Sequence, residues 1–184
     1  MTIRAAIAAD LPEIMRLIRL KSEFDGCPHT VQATPQKLKD TLFSPRPMAY
    51  ILLAEVSKKS ASEKSTSKKS APIGFASYHF TYATFLAQPS IWLDDLFITS
   101  GYRNQSIGTR LIQTLCEIAQ DHGCGRIDWT VDINNAAGIH FYQRIGAQLQ
   151  TQVHLCRLNQ SGIALGAKKQ ASRENAIASV EYHT

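Results

Sequence analysis

The stretch IWLDDLFITSGYRNQSIG, Ile91 to Gly108, restricts the possible folds more than any other part of the chain. Its apolar first half reads as a strand ending at Thr99, and its polar middle reads as a short turn. Its end enters the periodic segment Tyr102–His122, in which Ile107, Leu111, Leu115, Ile118 and Ala119 recur at spacings of three and four. That period predicts an amphipathic helix, with Gly123 as its stop. A strand turning sharply into a helix is a unit of an α/β domain. Where the helix opens, near Gly108, several backbone N–H groups lack partners and the macrodipole favours negative charge. Arg103 adds a cation beside them. Such a helix start suits phosphate.

Two carboxylates, Asp94 and Asp95, interrupt the apolar run of Trp92, Leu93, Leu96, Phe97 and Ile98. An ionised carboxylate in an apolar strand is costly unless it is paired or meets water. Neighbouring strand residues point to opposite faces, so the two acids share a face only if the strand bulges. Asp95 reads as a structural acid, bound to loop amides or a core arginine. Asp94 reads as the functional one, on the wall of a cleft.

The remaining elements follow from period and turn chemistry. Ile3–Ala6 predicts a first strand, and Asp10–Phe24 a first helix with an Asp10-x-x-Glu13 capping pattern and Pro12 in its first turn. Thr34–Phe43 predicts a second helix capped by Thr34. Ala49–Val56 and the run from Ile73 read as strands of a hairpin, lengthened by a Lys/Ser-rich insertion at residues 57–72 that is expected to be disordered. Arg126–Ile133 alternates as a strand, Asn134–Ala147 holds a short helix, and Gln152–Leu158 reads as a last strand. The expectation is a mixed α/β domain over residues 1–158 and a polar tail at 159–184, disordered or loosely helical.

Composition excludes several classes. Of 184 residues, 44% are hydrophobic and 19% charged, a globular balance. No apolar run is long enough to cross a bilayer, and charges interrupt the N-terminal segment, so no membrane partner and a cytoplasmic location are expected. The formal charge is +5. Ser57–Ala71 alone carries five lysines against one glutamate, and the tail carries one further net positive charge. The rest is neutral, which argues against a nucleic-acid partner. Cys27, Cys116, Cys124 and Cys156 read as reduced, packing thiols, and His29, His79, His140 and His154 show no metal spacing, so no metal is expected.

The Arg-x-x-Ser-x-Gly spacing of residues 103–108 resembles the Gln/Arg-x-x-Gly-x-Gly/Ala pyrophosphate loop of the GNAT superfamily of acyl-CoA-dependent N-acyltransferases. NNAAGIHFYQRIGA, with Asn135, Gly138 and Tyr142, is similar to the family's Asn-x-x-small-x-x-x-Tyr segment, and IRAAIAADLPEIMRLI to its opening strand and helix. LDDLFI, YRNQSIG and FYQRIGA are most similar to diamine (spermidine/spermine-type) N-acetyltransferases. This resemblance implies a central mixed, mostly antiparallel twisted sheet flanked by helices. It implies acetyl-CoA as co-substrate, held by the backbone of Leu96, Phe97 and Ile98, by Arg103, Asn104, Gln105, Ser106, Ile107, Gly108 and Thr109, and by Asn135 and Gly138. It implies a small-molecule amine acceptor, a polyamine or related amino compound, met by Phe24, Asp25 and Asp94. Asp94 would act as base and Tyr142 as acid in direct transfer. Acetylation of a protein N-terminus or lysine is the alternative, a catalytically weak acyl-CoA-binding module a further one, and a homodimer is possible. Two departures stand out. Asp94 is one methylene shorter than the family's glutamate, and Ser106 occupies a glycine position.

Overall fold

The described residues of this computed structural model, 1–56 and 71–167, fall into two units, Met1–His140 and Phe141–Thr184. In the first unit β1 (Thr2–Ala5), β2 (Tyr50–Glu55), β3 (Pro72–Ala83), β4 (Gln88–Ile98) and β5 (Ile127–Asp128) build one sheet in the order β1-β2-β3-β4-β5. The first four strands pair antiparallel and β5 joins β4 in parallel. This is the mixed, mostly antiparallel sheet that the family resemblance implies.

Alternation along the strands gives the sheet two apolar faces, and both are covered. On one face Ile51, Leu53, Phe75 and Phe97 form a buried cluster with Ile14 and Leu17 of α1 (Leu11–Phe24), joined by Leu38 and Leu42 of α2 (Pro35–Leu42). Thr34 caps α2, its hydroxyl accepting from Lys37 N–H at 3.2 Å. The other face, with Leu52 and Ala76 buried, takes α3 (Ile107–Asp121), which contacts β1 through β4. Ile107, Leu111, Ile112, Leu115 and Ala119 form its buried stripe, close to the face that the spacing predicts. Burying each of the larger ones contributes about 1.5–3 kcal/mol.

Asp10 does not cap α1 as the Asp-x-x-Glu pattern predicts. Its side chain makes no cap bond; it accepts Ile7 N–H at 2.9 Å and a forked pair from Arg4 at 2.6 and 2.9 Å. Arg4 also reaches Glu55 of β2 at 2.6 Å, and these two carboxylates hold the guanidinium pKa above its ordinary value. Asp10 therefore ties β1 and β2 to the helix entry, a stronger use of a buried acid than one cap bond.

Three boundaries differ from expectation. The helix expected from Tyr102 begins at Ile107, because Ser100–Tyr102 is a 3₁₀ turn and Asn104 and Ser106 adopt positive φ. The strand expected over Arg126–Ile133 shrinks to Ile127–Asp128, the only pairs made with β4. Residues 152–158 form no strand; Val153, Leu155 and Leu158 are 60–73% exposed, and helical turns follow at 160–167. The expected insertion at 57–72 lies outside the described residues except for Ala71 and Pro72, which opens β3. Residues 168–184 of the tail also lie outside them.

Candidate functional site

The register of β3 and β4 slips at the acids. Ser77 faces Asp95 while Tyr78 faces Leu93, so Asp94 has no partner across the ladder. This is a β-bulge, which turns two successive side chains toward one side. Ser77 and His79 share a face by alternation, and His79 Nδ1 bonds to Asp94 Oδ2 at 2.9 Å. Asp94 and Asp95 therefore lie on the same face, as only a bulge allows. It is the face covered by α1.

From α1, Lys21 reaches this wall. Its ammonium bonds to Asp25 and pairs with Asp95 Oδ1 at 3.3 Å. Asp95 is thus held by a cation, but by Lys21 rather than by an arginine or loop amides. Burial acts most strongly on Lys21 and disfavours its charge, yet Asp25 and Asp95 together outweigh it and raise its pKa. Burial also raises the Asp95 pKa; Lys21 opposes that shift, and Asp94 and Asp25 add to it. One ammonium serves a crowd of acids.

An aromatic and cationic rim adjoins them. Phe24 packs on Phe97 with ring centroids 6.2 Å apart, and the Arg103 guanidinium stands 4.2 Å above the Phe24 ring. Arg103 Nε also donates to Ile98 O at 3.0 Å, which fixes the arginine at the end of β4. The structure thus brings Phe24, Asp25, Asp94, Asp95 and Arg103 into one region of the first unit.

The turn into α3 has the backbone that a phosphate cradle needs. Asn104 and Ser106 have φ of 60° and 59°. The first α-helical bond runs from Arg110 N–H to Ser106 O at 3.0 Å. That leaves the N–H groups of Ile107, Gly108 and Thr109 outside the helical ladder. Among the described residues, Asn104, Gln105 and Ser106 donate no backbone bond either. Successive backbone N–H groups in such a turn form an anion-binding concavity. The pairing of β4 with β5 stops at Trp92, so Leu96, Phe97 and Ile98 have no β5 partner along that edge. An extended amide-bearing arm could bond there, as a strand would.

Asn135 and Gly138 act on α4 (Ala136–Arg144). Asn135 Oδ1 accepts Gly138 N–H at 2.9 Å, the bond of a helix cap. A Cβ on Gly138 would stand 2.6 Å from the Asn135 side-chain amide, so the small residue protects the cap. Tyr142 falls in the second unit. Its half-buried ring lies 5.2 Å from that of Phe141, and Ala147 N–H bonds to its carbonyl where Gly146, at φ 95°, ends the helix.

Lys21 and His79 are the two residues of the acid wall that sequence reading did not single out. Lys21 sits on α1 four residues before Asp25, a spacing that signals the near pair but not the partner on β4. For His79 the available signal was its place in a strand next to the acid-bearing one. Among the described residues no cluster of His, Cys, Asp or Glu could hold a metal ion, and no helix is long and apolar enough to cross a membrane.

Residues 17–147 match the acetyltransferase (GNAT) family. The chain is 31% identical to the mouse (Mus musculus) thialysine N-epsilon-acetyltransferase, over 82% of this chain and 85% of that one. It is 30% identical to an Arabidopsis thaliana L-ornithine N5-acetyltransferase, over 90% and 86%. Among solved structures, an integron cassette protein from the mobile metagenome of V. cholerae superposes with a TM-score of 0.69 at 25% identity, over 91% of this chain and 97% of that one.

Proposed function

The chain belongs to the acetyltransferase (GNAT) family, and from that premise we propose that it acetylates a primary amine on a small amino compound, of the diamine or polyamine kind or related to it. The observation that carries this reading is the bulge, because it puts Asp94 and Asp95 on the face covered by α1, the helix that carries Phe24 and leads into Asp25. Clustered carboxylates suit a cationic acceptor. The relatives named for thialysine and L-ornithine support an amino-compound acceptor.

GNAT enzymes use acetyl-CoA as co-substrate, and it would supply the acetyl thioester. Asn104 to Thr109, with Arg103, would hold its pyrophosphate and the edge of Leu96 to Ile98 its amide-bearing arm, and the resemblance to the family adds Asn135 and Gly138 to its contacts. The acceptor arrives as an ammonium and must lose a proton to become a nucleophile. Asp94 accepts that proton, directly or through water, while His79 fixes the orientation of its carboxylate. As the new C–N bond forms and the C–S bond breaks, the departing sulfur takes up a proton, a role that the resemblance to the family gives to Tyr142.

A screen of amines with acetyl-CoA, reading thiol release, tests the proposal. Removing a positioned proton acceptor or donor costs about 10²–10⁴-fold in rate. Asp94→Asn and Tyr142→Phe should each lower kcat by that order while CoA binding persists. Turnover within twofold of the parent in either variant removes that residue from the mechanism. No amine acetylated at all refutes the acceptor class.

A further inference from the structure

We propose that Arg103 is a positioning residue that couples the two substrate sites, so that CoA bound at the turn tightens amine binding beside Phe24. The inference rests on the reading that the turn holds the pyrophosphate and that the acceptor meets Phe24, Asp25 and Asp94. Ile98 O and Thr99 N–H belong to one trans peptide unit and point to opposite sides. Thr99 N–H bonds to Ile73 O of β3 at 2.9 Å, so Ile98 O faces the edge that β5 leaves open. Arg103 Nε donates to that carbonyl at 3.0 Å. The arginine is thereby anchored where the edge meets the turn, and the carbonyl keeps a second lone pair for the arm of CoA.

From the same anchor the guanidinium reaches the acceptor side. Its Cζ lies 4.2 Å from the centre of the Phe24 ring and 5.8 Å from that of Phe97, both within cation–π range. Phe24 ends α1 and is half exposed, held by the Phe97 ring and by this guanidinium. Among the described residues the two Nη groups of Arg103 make no hydrogen bond or ion pair. They are the donors that a phosphate would take, because a guanidinium can bind phosphate and an aromatic ring at once. A long side chain loses rotamer freedom when it is fixed. A pyrophosphate on the Nη groups fixes Arg103, and with it the Phe24 ring, before the amine arrives. A second ligand that meets an already ordered wall binds more tightly, and the effect is reciprocal.

Calorimetry on the full chain tests this with CoA itself, which carries no acetyl group and permits no turnover, and with 1,4-diaminobutane. Saturating CoA should lower the Kd of the amine by about fivefold or more. Arg103→Lys keeps a charge for phosphate but lacks the planar fork, so the enhancement should disappear. Phe24→Leu should lose it too while binding CoA alone as the parent does, and Phe24→Tyr, which keeps the ring, should retain it. Arg103→Lys alters no acceptor residue and Phe24→Leu no cradle residue, so one stays measurable if the other loses a ligand. Equal amine affinity with and without CoA in the parent overturns the proposal, as does weaker binding with CoA or an enhancement that survives in either Arg103→Lys or Phe24→Leu. An amine that binds and is acetylated without any such enhancement leaves the proposed function intact. Coupled binding without acetylation refutes the proposed function and leaves the role of Arg103 standing, whereas no amine binding in either state overturns both.

Discussion

At the scale of the residue, Ser106 is the point where this chain pays for departing from its family's usual glycine. Its φ of 59° lies in the left-handed region, where a side chain is strained and glycine is not. Such strain costs about 1 kcal/mol or more. The hydroxyl makes no cap bond, so nothing on the helix offsets that cost. The N–H groups of the turn are unaffected by the Cβ, so the cradle persists. Ser106→Gly should therefore tighten acetyl-CoA binding by up to about tenfold, measured by calorimetry, since 1.4 kcal/mol is one decade. Weaker binding in the glycine variant would make the hydroxyl a ligand instead.

At the scale of the element, one contact joins helix to strand at the acid wall, and its titration has a definite sign. The Asp95 pKa is raised by burial and by the neighbouring acids, with Lys21 opposing. A carboxyl raised in the folded state contributes fully below its unfolded pKa, about 3.9, and loses that contribution as pH climbs through the folded value. The raised Lys21 pKa works the same way at the alkaline end, intact below about 10.4 and lost above the folded value. Urea unfolding of the parent and of Asp95→Asn between pH 3 and 7 isolates the first window. The stability of the parent relative to the variant should fall as pH rises; a relative gain would contradict the burial of Asp95. Where local pattern alone decides an element, sequence was sufficient: the spacing of Leu111 and Leu115, the Thr34 cap and the β2–β3 hairpin all read directly. Alternation fails where a strand needs a neighbour. Val153 and Leu155 stand two residues apart as in a strand, yet they and Leu158 find no partner strand and remain exposed. It fails again at Asp94, because a bulge adds one residue without a composition signal, and at Lys21, whose second acid comes from β4.

At the scale of the whole molecule, the net charge of +5 is unevenly distributed: Ser57–Ala71 holds five lysines and one glutamate. The strands on either side do not depend on that stretch for their register. β2 and β3 pair from Tyr50 with Tyr78 through to Glu55 with Pro72, and Ile51, Leu53 and Phe75 are fixed by the core beneath them. Replacing residues 57–70 by Asn-Gly leaves a four-residue connection between Glu55 and Pro72, a length that antiparallel strands commonly use. Each halving of a flexible loop returns roughly 0.6 kcal/mol of closure entropy, so two halvings stabilise by about 1 kcal/mol. The Tm should rise by about 2–4 °C for a chain of this size. Acetyl-CoA affinity should not change, because the replacement keeps Ile73, whose carbonyl accepts both the N–H and the hydroxyl of Thr99 ahead of the proposed cradle. Retention on heparin should drop, since most of the positive excess leaves with the segment. Retention that survives the replacement would put the basic surface elsewhere, and a fall in Tm would mean that the segment contributes to the packing of the hairpin.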